Sequence, residues 1–137
     1  MPWIAHEPQS VEQRVTLIRE WNKEWDDLTG FGMGIFDSDE CVGSTGLHLR
    51  GPEGSIEIGY WLSAAHQGRG IITRAVTALT RVALDLPGIA VVEIVTDEAN
   101  ERSAAVARRC GYELVERFTR NREAPGDSGI GLRWRTK

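Results

Sequence analysis

The chain has 137 residues, 41% of them hydrophobic and 26% charged, enough for one domain with an apolar core. Its formal net charge of −4 argues against a dedicated nucleic-acid binder, and no apolar run approaches the ~20 residues that a membrane span needs. The opening stretch, Met1 to Glu7, lacks the basic and apolar regions of a secretory signal, so a cytoplasmic protein with no membrane partner is expected.

In chain order, Ser10-Val11-Glu12-Gln13 reads as a capping box that opens a helix to about Asp27. Val11, Val15, Ile18, Trp21, Trp25 and Leu28 form its apolar stripe, which places Trp21 and Trp25 in the core. Gly30 to Gly34 leads into a strand ending near Asp37. Asp37 to Glu40 is a turn, from which Cys41 to Leu49 pairs back as a hairpin. Arg50 to Gly54 is a loop before an alternating strand, Ser55 to Leu62. Ile71, Ala75, Leu79 and Val82 then recur at helical spacing. Ala90 to Thr96 is a β-branched run suited to a buried strand. Asn100 is a good N-cap for a helix to Cys110, which Gly111 ends. Glu113 to Thr119 reads as a strand, Asn121 to Gly129 as a loop and Gly131 to Thr136 as a last strand. No repeat or linker divides the chain, so residues 1–137 read as a single domain. The fold class is α+β, with a mixed, mostly antiparallel sheet and helices on both faces.

Cys41 and Cys110 lack metal-like spacing. Both read as small apolar core residues in a reducing compartment, and no metal is expected. Charge is uneven: residues 1–60 carry 4 Lys and Arg against 11 Asp and Glu, whereas residues 101–137 carry 9 against 5. The basic third suits a polyanionic ligand and the acidic third a cationic amine, unless both are only solvated faces.

The stretch His66-Gln67-Gly68-Arg69-Gly70-Ile71-Ile72-Thr73-Arg74-Ala75 joins a strand to a helix through a glycine turn. Two glycines let backbone N–H groups converge, and first-turn amides carry partial positive charge, so the turn suits a phosphate or pyrophosphate. A P-loop is excluded because no Gly-Lys-Ser/Thr triplet follows. A dinucleotide fingerprint would need glycine where Thr73 stands. The remaining alternative is an ordinary glycine-rich turn.

Gln67 and Gly70 also fit Gln-x-x-Gly-x-Gly/Ala, the acyl-CoA pyrophosphate loop of the GNAT N-acetyltransferases, with Ile72 where that family usually has Gly or Ala. Further along, Asn100-x-x-Ser103 precedes a short helix ending in Cys110-Gly111-Tyr112. In this order the motifs resemble the GNAT branch that includes the ribosomal-protein N-terminal acetyltransferases (RimJ/RimL-like), from about Ser10 to Phe118 and most strongly over Ser55 to Glu116. The resemblance implies a single GNAT-like domain that transfers an acetyl group from acetyl-CoA to a primary amine. The acceptor would be a protein N-terminus or a small-molecule amine, attacking directly in a ternary complex. Family analogy also suggests a homodimer. GNAT domains normally begin with one further strand and helix, which this chain is expected to lack. A natural short form, a truncated start or a site completed by a partner subunit would each account for that.

Such a transfer needs an anchored pyrophosphate, a polarised thioester carbonyl, a proton acceptor for the ammonium and a donor for the thiolate. The anchor is expected from the amides of Gly68, Arg69, Gly70, Ile71, Ile72 and Thr73, with side chains of Gln67 and Arg69 contributing. The resemblance points to a backbone N–H on Ile58 to Leu62 for the carbonyl, on a strand that splays from the next. Gly59 fits a bulge or close approach there, or equally a glycine under a packed helix. By its position in Asn-x-x-Ser, Ser103 is the expected donor, unless it caps its own helix. Asn100 would orient the pantetheine amide, cap the helix, or do both. Glu57 is the expected base, at a position where several GNAT members have a carboxylate. Apolar neighbours would raise its pKa, unless it faces outward and water relays the proton. His48 and His66 are further candidate bases and Tyr112 a further acid. The alternative function is a catalytically inactive acyl-CoA-binding module or a subunit of a larger assembly. A nucleotide-binding protein is disfavoured by the missing P-loop lysine.

Overall fold

A computed structural model describes residues 10–122 and 124–136. The Met1 to Glu7 stretch read above for a signal lies outside them. Ser10 caps helix α1 (Val11–Asp27): its Oγ accepts the Gln13 N–H at 3.1 Å, and Gln13 Oε1 accepts the Ser10 N–H at 2.9 Å. Strands β1 (Gly30–Asp37) and β2 (Glu40–His48) form a hairpin, and β3 (Ser55–Leu62) pairs back onto β2. A 3₁₀ turn (Ala64–His66), which no periodicity announces, leads to helix α2 (Ile71–Leu84). Strand β4 (Val91–Asp97), helix α3 (Glu101–Arg109), β5 (Glu113–Thr119) and β6 (Ile130–Arg135) follow. The six strands lie in the order β1-β2-β3-β4-β6-β5. The β3–β4 pair is parallel, joined by the α2 crossover, and the others are antiparallel. The expected mixed, mostly antiparallel sheet is the one that forms.

Cross-strand register sorts the side chains into two faces. Phe31, Leu47 and Ile58 are neighbours across β1, β2 and β3; Ile56 pairs with Val92 and Ile94 with Trp134. These residues pack with Val76 and Ala83 of α2 and with Ala104 and Ala107 of α3. Ile56, Ile58, Val92 and Ile94 are fully buried there, each stabilising the fold by about 1.5–3 kcal/mol. The opposite face carries Gly32, Gly46 and Gly59, themselves neighbours across the same three strands. A β-carbon at Gly30 would meet Glu24 of α1, and one at Gly32 would meet Trp21, so α1 lies on that face. Helices thus cover both faces, as expected.

Two core expectations fail. Trp21 and Trp25 are 39% and 43% exposed, and Val11, Val15, Ile18 and Leu28 are exposed too. The stripe meets a glycine-lined strand, which offers no side chains to interdigitate with, so it stays half in solvent. Trp25 is still anchored: Nε1 donates to Gly32 O at 2.9 Å, and the indole meets Phe31 edge-on. Cys41, read as core, is exposed beside the β1–β2 turn; Cys110 is half-buried, and both are free.

Candidate active site

Strands β3 and β4 pair at three positions, Ser55–Val91, Ile56–Val92 and Glu57–Glu93, and then part. Each keeps its other partner: β3 stays on β2 as far as Leu62, and β4 stays on β6 as far as Asp97. The split therefore costs neither strand its second ladder and leaves only the facing edges unpaired. A cavity of about 860 Å³ opens there, lined by Tyr60, Leu62 and Thr96 of the strands, Asn100 and Ser103 at the start of α3, and the glycine bend. The Gly59 carbonyl accepts from Thr45 Oγ1 of β2 at 2.8 Å. Alternate residues Ile58 and Tyr60 therefore turn their N–H groups toward the split. Of the readings of Gly59, the bulge and the glycine under a packed helix do not hold. The strand is unbulged there, and a β-carbon at Gly59 would meet nothing within 4 Å, so it leaves an open spot on the α1 face.

The bend follows from its glycines. Gly68 and Gly70 have φ of 83° and 73°, a left-handed backbone that a β-carbon disfavours. Gly70 is the N-cap of α2 and brings no side-chain cap. Among the described residues, the N–H groups of residues 68–73 have no acceptor; the first helical bond is from Arg74 N–H to Gly70 O at 3.0 Å. These unspent donors, with the helix dipole behind them, are suited to an anion at one end of the cavity. Gly68, Gly70, Ile72 and Thr73 line it. Gln67 also lines it, but its Nε2 donates to Leu62 O at 3.3 Å and so ties the bend to the end of β3. The side chains of Arg69 and Ile71 turn away instead. With Phe36, Asp37 and Arg74 they line a separate depression, where Arg69 stands 3.8 Å from Asp37.

At α3, Asn100 Oδ1 accepts the Ser103 N–H at 3.3 Å, so Asn100 is the cap. Ser103 Oγ makes no hydrogen bond among the described residues and is free to face the cavity. The Tyr60 hydroxyl donates to Ser103 O at 3.1 Å and pins the start of α3 across the split, a role that alternation along β3 does not reveal. Tyr112 does not line the cavity: it is buried and hydrogen-bonded to Thr80 at 2.6 Å, and burial pushes its hydroxyl up to about 12. His66 is engaged by Ser63 at 2.6 Å in the turn before the bend and does not line the cavity.

Glu57 lies at the closed end of the split, on the α1 face and outside the cavity itself. Burial raises its carboxyl, against the pull of Arg50, whose Nη1 donates to Oε2 at 3.3 Å, and of Arg133. Its neighbour Glu93 is buried and held by Arg135 at 2.7 Å. The far wall also contains groups that no motif marked. Buried Asp97 accepts N–H bonds from Ala99 and Ser128, and Arg120 stands 3.7 Å from it and 3.8 Å from Asp127. Among the described residues, no group of three or more His, Cys, Asp or Glu is placed to hold a metal ion, and no helix is long and apolar enough to cross a membrane.

A family model described as an acetyltransferase (GNAT) domain matches residues 1–113. Over 112 residues the chain is 33% identical to "Putative ribosomal N-acetyltransferase YdaF" of Bacillus subtilis (strain 168). That match takes in 80% of this chain and 61% of the relative, so the chain spans about three fifths of the relative's length. Among solved structures, a "Probable acetyltransferase" is 28% identical with a TM-score of 0.85, over 95% of this chain and 75% of the other. RimL, a ribosomal L7/L12 α-N-protein acetyltransferase in complex with coenzyme A, is 23% identical with a TM-score of 0.84, over 93% and 72%. At that identity the likeness to RimL shows a shared fold.

Proposed function

The chain belongs to the GNAT acetyltransferase family, and from that footing we propose that it transfers an acetyl group from acetyl-CoA to a primary amine. One observation carries the reading: Gly68, Gly70, Ile72 and Thr73, whose amides are unspent, line the same cavity as the parted edges of β3 and β4. The bend suits the pyrophosphate, and the unpaired edge groups of the split suit the amides of an extended pantetheine arm. From Leu62 back to Glu57 the strand runs about 17 Å at ~3.3 Å per residue, which brings the thioester to the closed end. There the N–H of Ile58 or Tyr60 polarises the carbonyl, a contact whose loss typically costs about 10²–10³ in rate.

The acceptor enters from the α1 face, where Gly59 leaves room beside Glu57. Glu57 takes the ammonium proton, directly or through a water. The free amine attacks the thioester carbon, the C–S bond breaks, and Ser103 Oγ donates a proton to the departing thiolate. Asn100 orients the pantetheine while capping α3. No covalent enzyme intermediate is needed; Cys110 Sγ packs 3.7 Å from Thr73 O and does not line the cavity.

A protein N-terminal amine is the favoured acceptor, supported by the names of the relatives, with small-molecule amines as the second class. We further propose a single cytoplasmic domain over residues 1–137, acting as a homodimer and without nucleic acid; its acidic balance supports the last point. Isothermal titration with acetyl-CoA, followed by a thiol-release screen against N-terminal peptides and small amines, tests the function. Saturable binding and release of coenzyme A are expected. A folded sample that does not bind millimolar acetyl-CoA sinks the proposal. Binding without release across the panel favours the alternative, an inactive acyl-CoA-binding module.

A further inference from the structure

We infer that His48 is a catalytic base of this transfer, receiving the acceptor's ammonium proton at Nε2 on the α1 face of the sheet. The inference rests on the proposed acetyl transfer and changes one step of it: the ammonium proton assigned above to Glu57 passes to His48 instead. His48 is the direct cross-strand partner of Glu57 in the β2–β3 register, so both side chains stand on one face with β-carbons about 4.5–5.5 Å apart. Glu57 stands on the edge strand at the closed end of the split, where the thioester would lie, and His48 is one strand further out at the same level, both outside the cavity lining.

The ring's orientation supplies the second argument. A β-carbon at Gly46 would stand 3.1 Å from His48 Nε2, and one at Gly30 would stand 3.1 Å from Nδ1. The imidazole therefore lies along the glycine row, with Nε2 above Gly46. Gly46 is the register neighbour of Gly59, one strand spacing of ~4.8 Å away, and a β-carbon at Gly59 would meet no described atom within 4 Å. An amine entering there is within one bridging water of Nε2. On the other side of the ring, the Glu24 carboxylate of α1 shares the space above Gly30 with Nδ1. Glu24 stands on the Nδ1 side without a hydrogen bond to the ring, so its carboxylate acts on the imidazole through charge alone, and Nε2 lies on the side toward Gly46.

Three charged groups face the ring. Burial and Arg50 hold His48 below the usual imidazole range, and Glu24 pulls the other way. Glu57 faces it from β3. Neither ring nitrogen has a hydrogen-bond partner among the described residues, so neutral imidazole stands ready to accept. Glu57, held against Arg50, then serves to hold the ammonium. The balance closes as follows. An ammonium N–H bond breaks and its proton bonds to Nε2; the C–N bond forms and the C–S bond breaks. Ser103 protonates the thiolate and recovers the amine's second proton through water. The imidazolium returns its proton to solvent, so each amide formed releases one proton.

The test compares wild type with His48→Ala, His48→Gln, Glu57→Gln and Glu24→Gln, using acetyl-CoA calorimetry and pH–rate profiles for the amine. Both His48 variants are expected to bind acetyl-CoA like wild type and to lose on the order of 10²-fold in kcat/KM. Their acid limb should move off the imidazole titration, and added imidazole should restore part of the His48→Ala rate. Glu24→Gln should shift the acid limb to lower pH, since that carboxylate favours the imidazolium. Glu57→Gln should keep an imidazole-like limb while raising KM for the amine. His48→Gln with a wild-type rate and acid limb overturns the inference. A lost rate with an unmoved limb and no imidazole rescue also overturns it, because the role is then structural. Failure of wild type to bind acetyl-CoA would instead remove the transfer reading beneath it.

Discussion

At Ser103, the N–H is taken by Asn100 Oδ1 and the carbonyl by Tyr60, so the backbone is fully engaged while Oγ stays free. That separation makes the hydroxyl testable on its own. Ser103→Ala keeps the Asn100 cap and should lower kcat by about 10² or more with the acetyl-CoA dissociation constant largely unchanged. A fully active variant rules out Ser103 as the proton donor. Tyr112→Phe is the matched control. It removes a part-buried bond to Thr80 and should cost about 0.5–1.5 kcal/mol of stability, with the pH–rate profile unmoved. Ser103 and Tyr112 were both legible as hydroxyls near one helix. Only their surroundings separate an available donor from a buried, strongly basic phenolate that will not form.

Among the elements, the bend from Gln67 to Thr73 is the proposed anchor for the cofactor, and its shape was legible because its physics is local: two left-handed glycines and a helix start within a few residues. Gly70→Asp tests it. Aspartate tolerates the left-handed region better than most residues, so the backbone cost should stay near ~1 kcal/mol. Its carboxylate would crowd the amide donors and repel phosphate. KM for acetyl-CoA should rise at least about tenfold, with KM for the amine nearly unchanged, in steady-state titrations of each substrate. Equal effects on both substrates would remove the bend from cofactor binding. Helix α1 teaches the converse. Its 3.6-residue stripe is real, yet period reports only which side chains share a face, and the glycines of β1 leave that face half uncovered.

Across the whole molecule, Asp97 joins the end of β4 to the β5–β6 loop and closes the far wall of the cavity. Burial alone would raise its carboxyl, but N–H bonds from Ala99 and Ser128, with Arg120, outweigh it and hold the group below the usual carboxylate range. A depressed carboxyl contributes stability that is present above its unfolded value and lost as pH falls through its folded one. Asp97→Asn should therefore cost about 1–3 kcal/mol near neutral pH, measured by denaturant unfolding. The gap to wild type should shrink below about pH 4, as wild type loses the same contribution. A gap independent of pH would assign the effect to packing instead.

The order of the elements, the glycine bend and the Asn100–Ser103 cap could be read from residues alone, because helix periodicity, strand alternation and capping act over neighbours in the chain. What tertiary structure decided was which edges meet. The early end of β3–β4 pairing opens the cavity, the β2–β3 register sets His48 against Glu57, and Tyr60 reaches α3. The outward turn of Arg69 and the exposure of Trp21 and Trp25 belong to the same class. Register between strands far apart in sequence depends on the packing of every layer together, and no local pattern encodes it.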